Sequence, residues 1–121
     1  MSYDLRLGVK VDGTDIIAVI EEPTYHSPTY NLGVMFRACT GWDFEQGKWY
    51  LVSEVWPLIE HGISELRMNG KKYDKYNPEN GWGSRETALK ALESLSECIQ
   101  HTVEGDWSWN QIPADKLYVS W

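Results

Sequence analysis

Between residues 77 and 84 the chain reads Asn-Pro-Glu-Asn-Gly-Trp-Gly-Ser, and little of the backbone there is left to choice. Pro78 fixes its own φ and pushes Asn77 into extended geometry, so no helix passes through. Asn80-Gly81 is a turn dipeptide, because both residues tolerate positive φ. Gly83 permits another excursion or the close approach of a neighbouring chain. Ser84 is a strong N-cap, and Glu86 puts negative charge into the first turn of the helix that must follow. Trp82 is thus held on a constrained loop between two glycines. Its ring either plugs the core or, with nearby amides, faces a ligand.

Hydrophobic periodicity fills in the chain around this segment. Over residues 3–10, Tyr3, Leu5, Leu7 and Val9 alternate with Asp4, Arg6, Gly8 and Lys10, the pattern of a half-buried strand. Asp12-Gly13 is a hairpin signal, and the apolar run 15–21 supplies the second strand. Residues 22–30 form a loop with two prolines. Asn31 is placed to cap a short helix that carries Leu32, Met35, Phe36 and Cys39 and closes at Gly41. Residues 42–51 read as irregular. A longer helix, near 54–69, has Ser53 as its expected cap and Val55, Trp56, Ile59, Ile63 and Leu66 as its apolar face. Pro57 is tolerable there in the first turn or just beyond it. Residues 71–83 read as polar loop, and 85–101 as a third helix with Ala88, Leu89, Leu92, Leu95 and Ile99 inward. Residues 102–115 read as loop, with Trp107 and Trp109 on one face if extended, and 116–121 as a last strand. The expected fold is α+β in one domain, 1–121. A small antiparallel sheet, made of the N-terminal hairpin and the C-terminal strand, carries about three helices on one face. The pattern does not say which hairpin strand the last one joins.

Composition limits the partners. The chain has 121 residues and a formal net charge of −7, which disfavours duplex nucleic acid and anionic membranes without excluding a compact anion in a local pocket. No apolar run is long enough to span a bilayer, and the first residues lead straight into a strand pattern, so a cytoplasmic location is expected. Cys39 and Cys98 are expected buried and reduced, and their spacing is not that of a zinc site. Seven Trp and seven Tyr stand beside two Phe, a bias suited to interfaces and to stacking on flat ligands, or to filling a small core. Trp121 either seals the core or joins a homo-oligomer contact.

No catalytic motif is present: no P-loop, no G-x-S-x-G and no H-E-x-x-H. His61 and His101 fall on polar helix faces. His26, between two prolines, has Glu21 or Glu22 near it in sequence, a pairing too common to indicate a general base. Asp12 with Asp15, and Asp43 with Glu45, read as solvated charges and match no calcium loop. No catalytic residue, metal or cofactor is therefore expected, and binding is the class left standing. Its candidate residues are Tyr25, His26, Tyr30, Asn31, Trp42, Asn80 and Trp82. The rings offer faces for a base, the asparagines offer donors and acceptors for its edge, and the helix starts offer amides for an anion. The expected pocket lies between the 22–31 loop, Trp42 and the Trp82 loop. A capped helix and a packed aromatic core is the alternative.

The chain also resembles a group of small phage and prophage proteins without assigned function. The resemblance rests on Thr29-Tyr30-Asn31-Leu32-Gly33 followed by Met35-Phe36, on the Pro57-Leu58 helix, on the opening Ser2-Tyr3-Asp4, and most on Asn77 through Gly83. The chain departs from the group in its Trp-rich tail after Cys98. The resemblance implies a phage-borne cytoplasmic accessory protein and transfers no catalytic residue. Three functions are open: a binder that sequesters a nucleotide-like signal of host defence, an acidic aromatic module that inhibits a host enzyme, and a phage housekeeping protein with no ligand.

Overall fold

A computed structural model describes residues 3–21, 30–79, 81, 83–105 and 111–121, with Glu21 and Tyr30 described by backbone only. The alternating N-terminal segment forms β1 (Arg6–Lys10), which pairs antiparallel with β2 (Ile17–Glu21) in the expected hairpin. Gly13, at φ +77°, makes the turn, and the Thr14 hydroxyl donates to the Val11 carbonyl at 2.8 Å. Tyr3, Leu5 and Leu7 are buried, as their period of two requires.

A 3-10 turn at Tyr30–Leu32 leads into α1 (Gly33–Thr40). Asn31 is therefore not the N-cap; Leu32 holds that position, because the chain is already turning when the α-helix begins. Gly41 ends the helix as expected, at φ 71°. The Thr40 hydroxyl donates to the Phe36 carbonyl at 2.6 Å and accepts from the Trp42 amide at 3.0 Å, which fixes the exit of the chain.

Residues 42–51 are not wholly irregular. Trp49–Leu51 form β3, and α2 (Val52–Met68) follows with no intervening loop. Ser53 is inside this helix and does not cap it. Instead the Val52 amide donates to the Leu117 carbonyl at 2.8 Å, so a distant backbone group satisfies the first N–H. Pro57 lies within α2, where its missing N–H leaves the Ser53 carbonyl without its intrahelical donor. Val55, Ile59, Ile63 and Leu66 are buried, while Trp56 is half-buried at the flank. The Trp56 indole N–H lies 3.2 Å from both the Glu60 carboxylate and the Ser96 hydroxyl.

The polar stretch after α2 is a 3-10 helix, Gly70–Tyr76. Helix α3 (Arg85–Glu104) runs a turn beyond the expected end and stops at Gly105, φ 73°. A third 3-10 segment, Ala114–Lys116, precedes β4 (Tyr118–Ser120). The sheet order is β2-β1-β4-β3, antiparallel throughout. The C-terminal strand is thus central and joins β1 on one side and β3 on the other. The fold is α+β, with the α-helices on one face of the sheet.

One cluster of aromatic residues lies in the core beside α1. The Trp121 ring stacks on Phe44 with centroids 4.3 Å apart and also packs against Phe36, Tyr3 and Trp42. The end of the tail therefore seals the core; Trp107 and Trp109 lie outside the described residues. Cys39 and Cys98 are buried and are not joined in a disulfide. No described helix is long and apolar enough to cross a membrane.

Candidate binding cleft

A cleft of about 760 Å³ opens where the last turn of α2, the start of the 3-10 helix 70–76 and the first turn of α3 meet. Its construction begins with the Asn77–Ser84 segment. Asn77 is extended, at φ −62° and ψ 128°, as the following proline demands. Its side-chain carbonyl accepts from the Arg85 amide at 3.1 Å. The Gly81 amide donates to the Pro78 carbonyl at 3.2 Å, closing a turn in which Gly81 has φ 76°. Ser84 caps α3 as expected, through a capping box closed by Thr87. The loop therefore fixes where Arg85 enters the helix and where its side chain starts.

That side chain crosses the cleft and lies against Gly70. A Cβ at position 70 would sit 2.7 Å from Arg85 Cδ and 2.9 Å from Nη1, so a side chain there would displace the Arg85 side chain from this path. Arg67, Lys71 and Lys72 join Arg85 in the lining, against one carboxylate, Glu86. Leu66 and Leu89 supply the apolar part, and Met68, 80% exposed, stands at the rim.

Most of these cations are held by partners at the protein surface. Arg67 pairs with Glu93, Lys72 with Glu65 at 3.5 Å, and Arg85 with Asp74 at 3.4 Å. Lys71 has no ion pair among the described residues. Exposed pairs of this kind contribute roughly 0–1 kcal/mol each, so an incoming anion can compete for the cations. Behind the cleft, Glu65 accepts from the Tyr73 hydroxyl and the Asn69 amide, both at 2.7 Å. These two bonds, with Lys72, hold the Glu65 carboxyl below its ordinary value. Burial, then the Glu65 carboxylate, pushes the Tyr73 phenol up to about 12.

The α3 start offers few spare amides. The Arg85 N–H goes to Asn77 and the Thr87 N–H to Ser84. The pull on an anion therefore comes from side-chain cations more than from the helix end. At the α1 start, the Tyr3 hydroxyl and the Arg37 guanidinium close over Gly33, leaving no room there even for a Cβ.

The residues expected to form a site fall in several places. Trp42 is in the core, 4% exposed, edge-on to Phe44, Tyr50 and Trp121, and presents no face to a ligand. Asn31 is exposed in the 3-10 turn, and Tyr30 opens that turn. Neither is among the described residues of the cleft. Tyr25, His26, Asn80 and Trp82 lie outside the described residues. Arg67, Gly70, Lys71, Lys72 and Arg85 were not singled out from sequence. Their signal was present as a local reversal of charge around Asn69-Gly70 in an acidic chain. Among the described residues no group of His, Cys, Asp and Glu could hold a metal ion. Compared with known proteins, the chain matches no family model, no curated sequence and no solved structure.

Proposed function

We propose that this protein binds a compact phosphate-bearing ligand, with a nucleotide as the reference case, in the cleft between α2, the 3-10 helix 70–76 and α3. One observation carries the reading: four cations line a single cleft of a chain whose net charge is −7. Arg85 is pre-placed by Gly70 and Asn77, which lowers the ordering cost of binding. Its planar fork suits bidentate contact with phosphate oxygens, and the lysines act as adjacent point charges. The resemblance to phage proteins gives the biological setting, a phage accessory protein that sequesters a nucleotide-like signal of the host. A second reading, docking of a host protein, draws on Met68, because an exposed methionine adapts to an apolar partner.

The test is to purify the protein from cells, heat-denature it and analyse the supernatant by mass spectrometry, then to heat ligand-free protein with pyrophosphate. Release of a phosphate-bearing metabolite, or stabilisation of about 2.7 kcal/mol at a hundredfold excess over Kd, is expected. A protein that releases nothing and melts unchanged in millimolar pyrophosphate contradicts the proposal. Recovery of a stoichiometric host protein in its place favours the second reading.

A further inference from the structure

The face of the sheet turned away from the helices carries a second set of cations, and these lie on aromatic rings. Arg6, Gly8 and Lys10 share that face of β1 because side chains alternate along a strand. Strand pairing sets Arg6 beside Ser120 and Ser120 beside Trp49, and sets Gly8 beside Tyr118. The Trp49 indole reaches across Ser120 to Gly8, where a Cβ would stand 3.2 Å from its Cη2. Arg6 lies 5.5 Å from the Trp49 ring centre, and Lys10 lies 5.6 Å from that of Tyr118. Neither cation makes an ion pair with a described residue. The Arg6 Nε is buried with no hydrogen-bond partner among the described residues. Past Lys10 the strip opens into a cavity of about 390 Å³ bounded by Tyr118 and Lys116, with Asp12 and Asp115 at its edge.

We infer that this face binds a short single-stranded nucleic acid. Single strands are held by cations that follow the phosphates and by rings on which unpaired bases stack; here each ring opens to a base as the cation resting on it turns to a phosphate. An acidic peptide would use the cations and leave the rings without a flat partner. A duplex keeps its bases stacked internally and offers the rings no free base. The carboxylates of Asp12 and Asp115 limit the strip to a few nucleotides. The inference is independent of the cleft between α2 and α3.

Fluorescence anisotropy of a labelled oligo(dT) 12-mer with the full chain tests it. Saturable binding is expected, weakening about tenfold between 50 and 200 mM NaCl, as two or three phosphate contacts imply for a single strand. Arg6→Gln with Lys10→Gln should abolish the binding, and Trp49→Phe should weaken it while circular dichroism stays that of wild type. Lys71→Glu, in the other cleft, should leave it unchanged. Absence of saturable binding overturns the inference, as does wild-type affinity in the Arg6, Lys10 double variant. Loss with Lys71→Glu alone would place the strand in the α2–α3 cleft and overturn it too. So would equal affinity for a labelled oligoglutamate, which would assign the face to an acidic peptide.

Discussion

Gly81 and Gly70 resist substitution for different reasons. The φ of Gly81 is +76°, yet nothing lies within 4 Å of the place a Cβ would take. The penalty for a side chain is therefore the left-handed backbone alone, about 1–2 kcal/mol for an L-residue. Gly81→Val should lower the free energy of unfolding in urea by that amount, and an unchanged value would contradict the backbone argument. Gly70 is the reverse case, with the neighbouring Arg85 side chain setting the limit. Two titrating groups give a prediction on pH. Burial, the leading cause for both, pushes Cys39 and Tyr73 up to about 12 from ordinary values of 9.0 and 10.0. Unfolding lets them ionise at those lower values, so their share of stability is complete below pH 9 and is lost as pH rises toward 12. Urea midpoints should fall from about pH 9 upward, and Tyr73→Phe should make the decline between pH 10 and 12 shallower. A flat profile across that range would contradict the burial of both groups.

At the scale of elements, the sequence was readable wherever one segment carries its own instructions. The hairpin has alternation and Asp12-Gly13, and α3 has Ser84, Glu86 and a long apolar stripe. Ser84→Ala should cost about 1 kcal/mol by thermal unfolding, because it opens the capping box. Ser53→Ala should change stability far less, since the Leu117 carbonyl meets the first N–H of α2 and Ser53 is exposed within the helix. Equal costs would show that Ser53 does cap α2. Elements that depend on a distant partner were not readable. Trp49, Tyr50 and Leu51 have no alternation, and β3 exists because Tyr118, Val119 and Ser120 pair with it. Asn31 looks like a cap, but the 3-10 turn that shifts the start of α1 to Gly33 follows from packing rather than from local residue type.

Across the whole molecule, the acidic surface is interrupted in two places by cations drawn from separate elements. The cleft takes Arg67 from α2, Lys71 and Lys72 from the 3-10 helix, and Arg85 from α3. Sequence reading found the loop that positions Arg85 but not the convergence, which is a property of the packing between α2 and α3. It weighted the aromatic residues instead, and among those Trp42 belongs to the core. The C-terminal tail supplies one of the two interior strands of the sheet, so residues 117–121 are part of the fold's foundation. The claim that matters most is that the cleft binds a phosphate-bearing ligand. Two-dimensional amide NMR during a pyrophosphate titration tests it most directly. The account predicts saturable shifts centred on Gly70, Lys71, Lys72 and Arg85, with the sheet amides of 6–10 and 118–120 still, and loss of the response in Gly70→Ala. A spectrum unchanged at millimolar pyrophosphate, or shifts centred away from these residues, would contradict it.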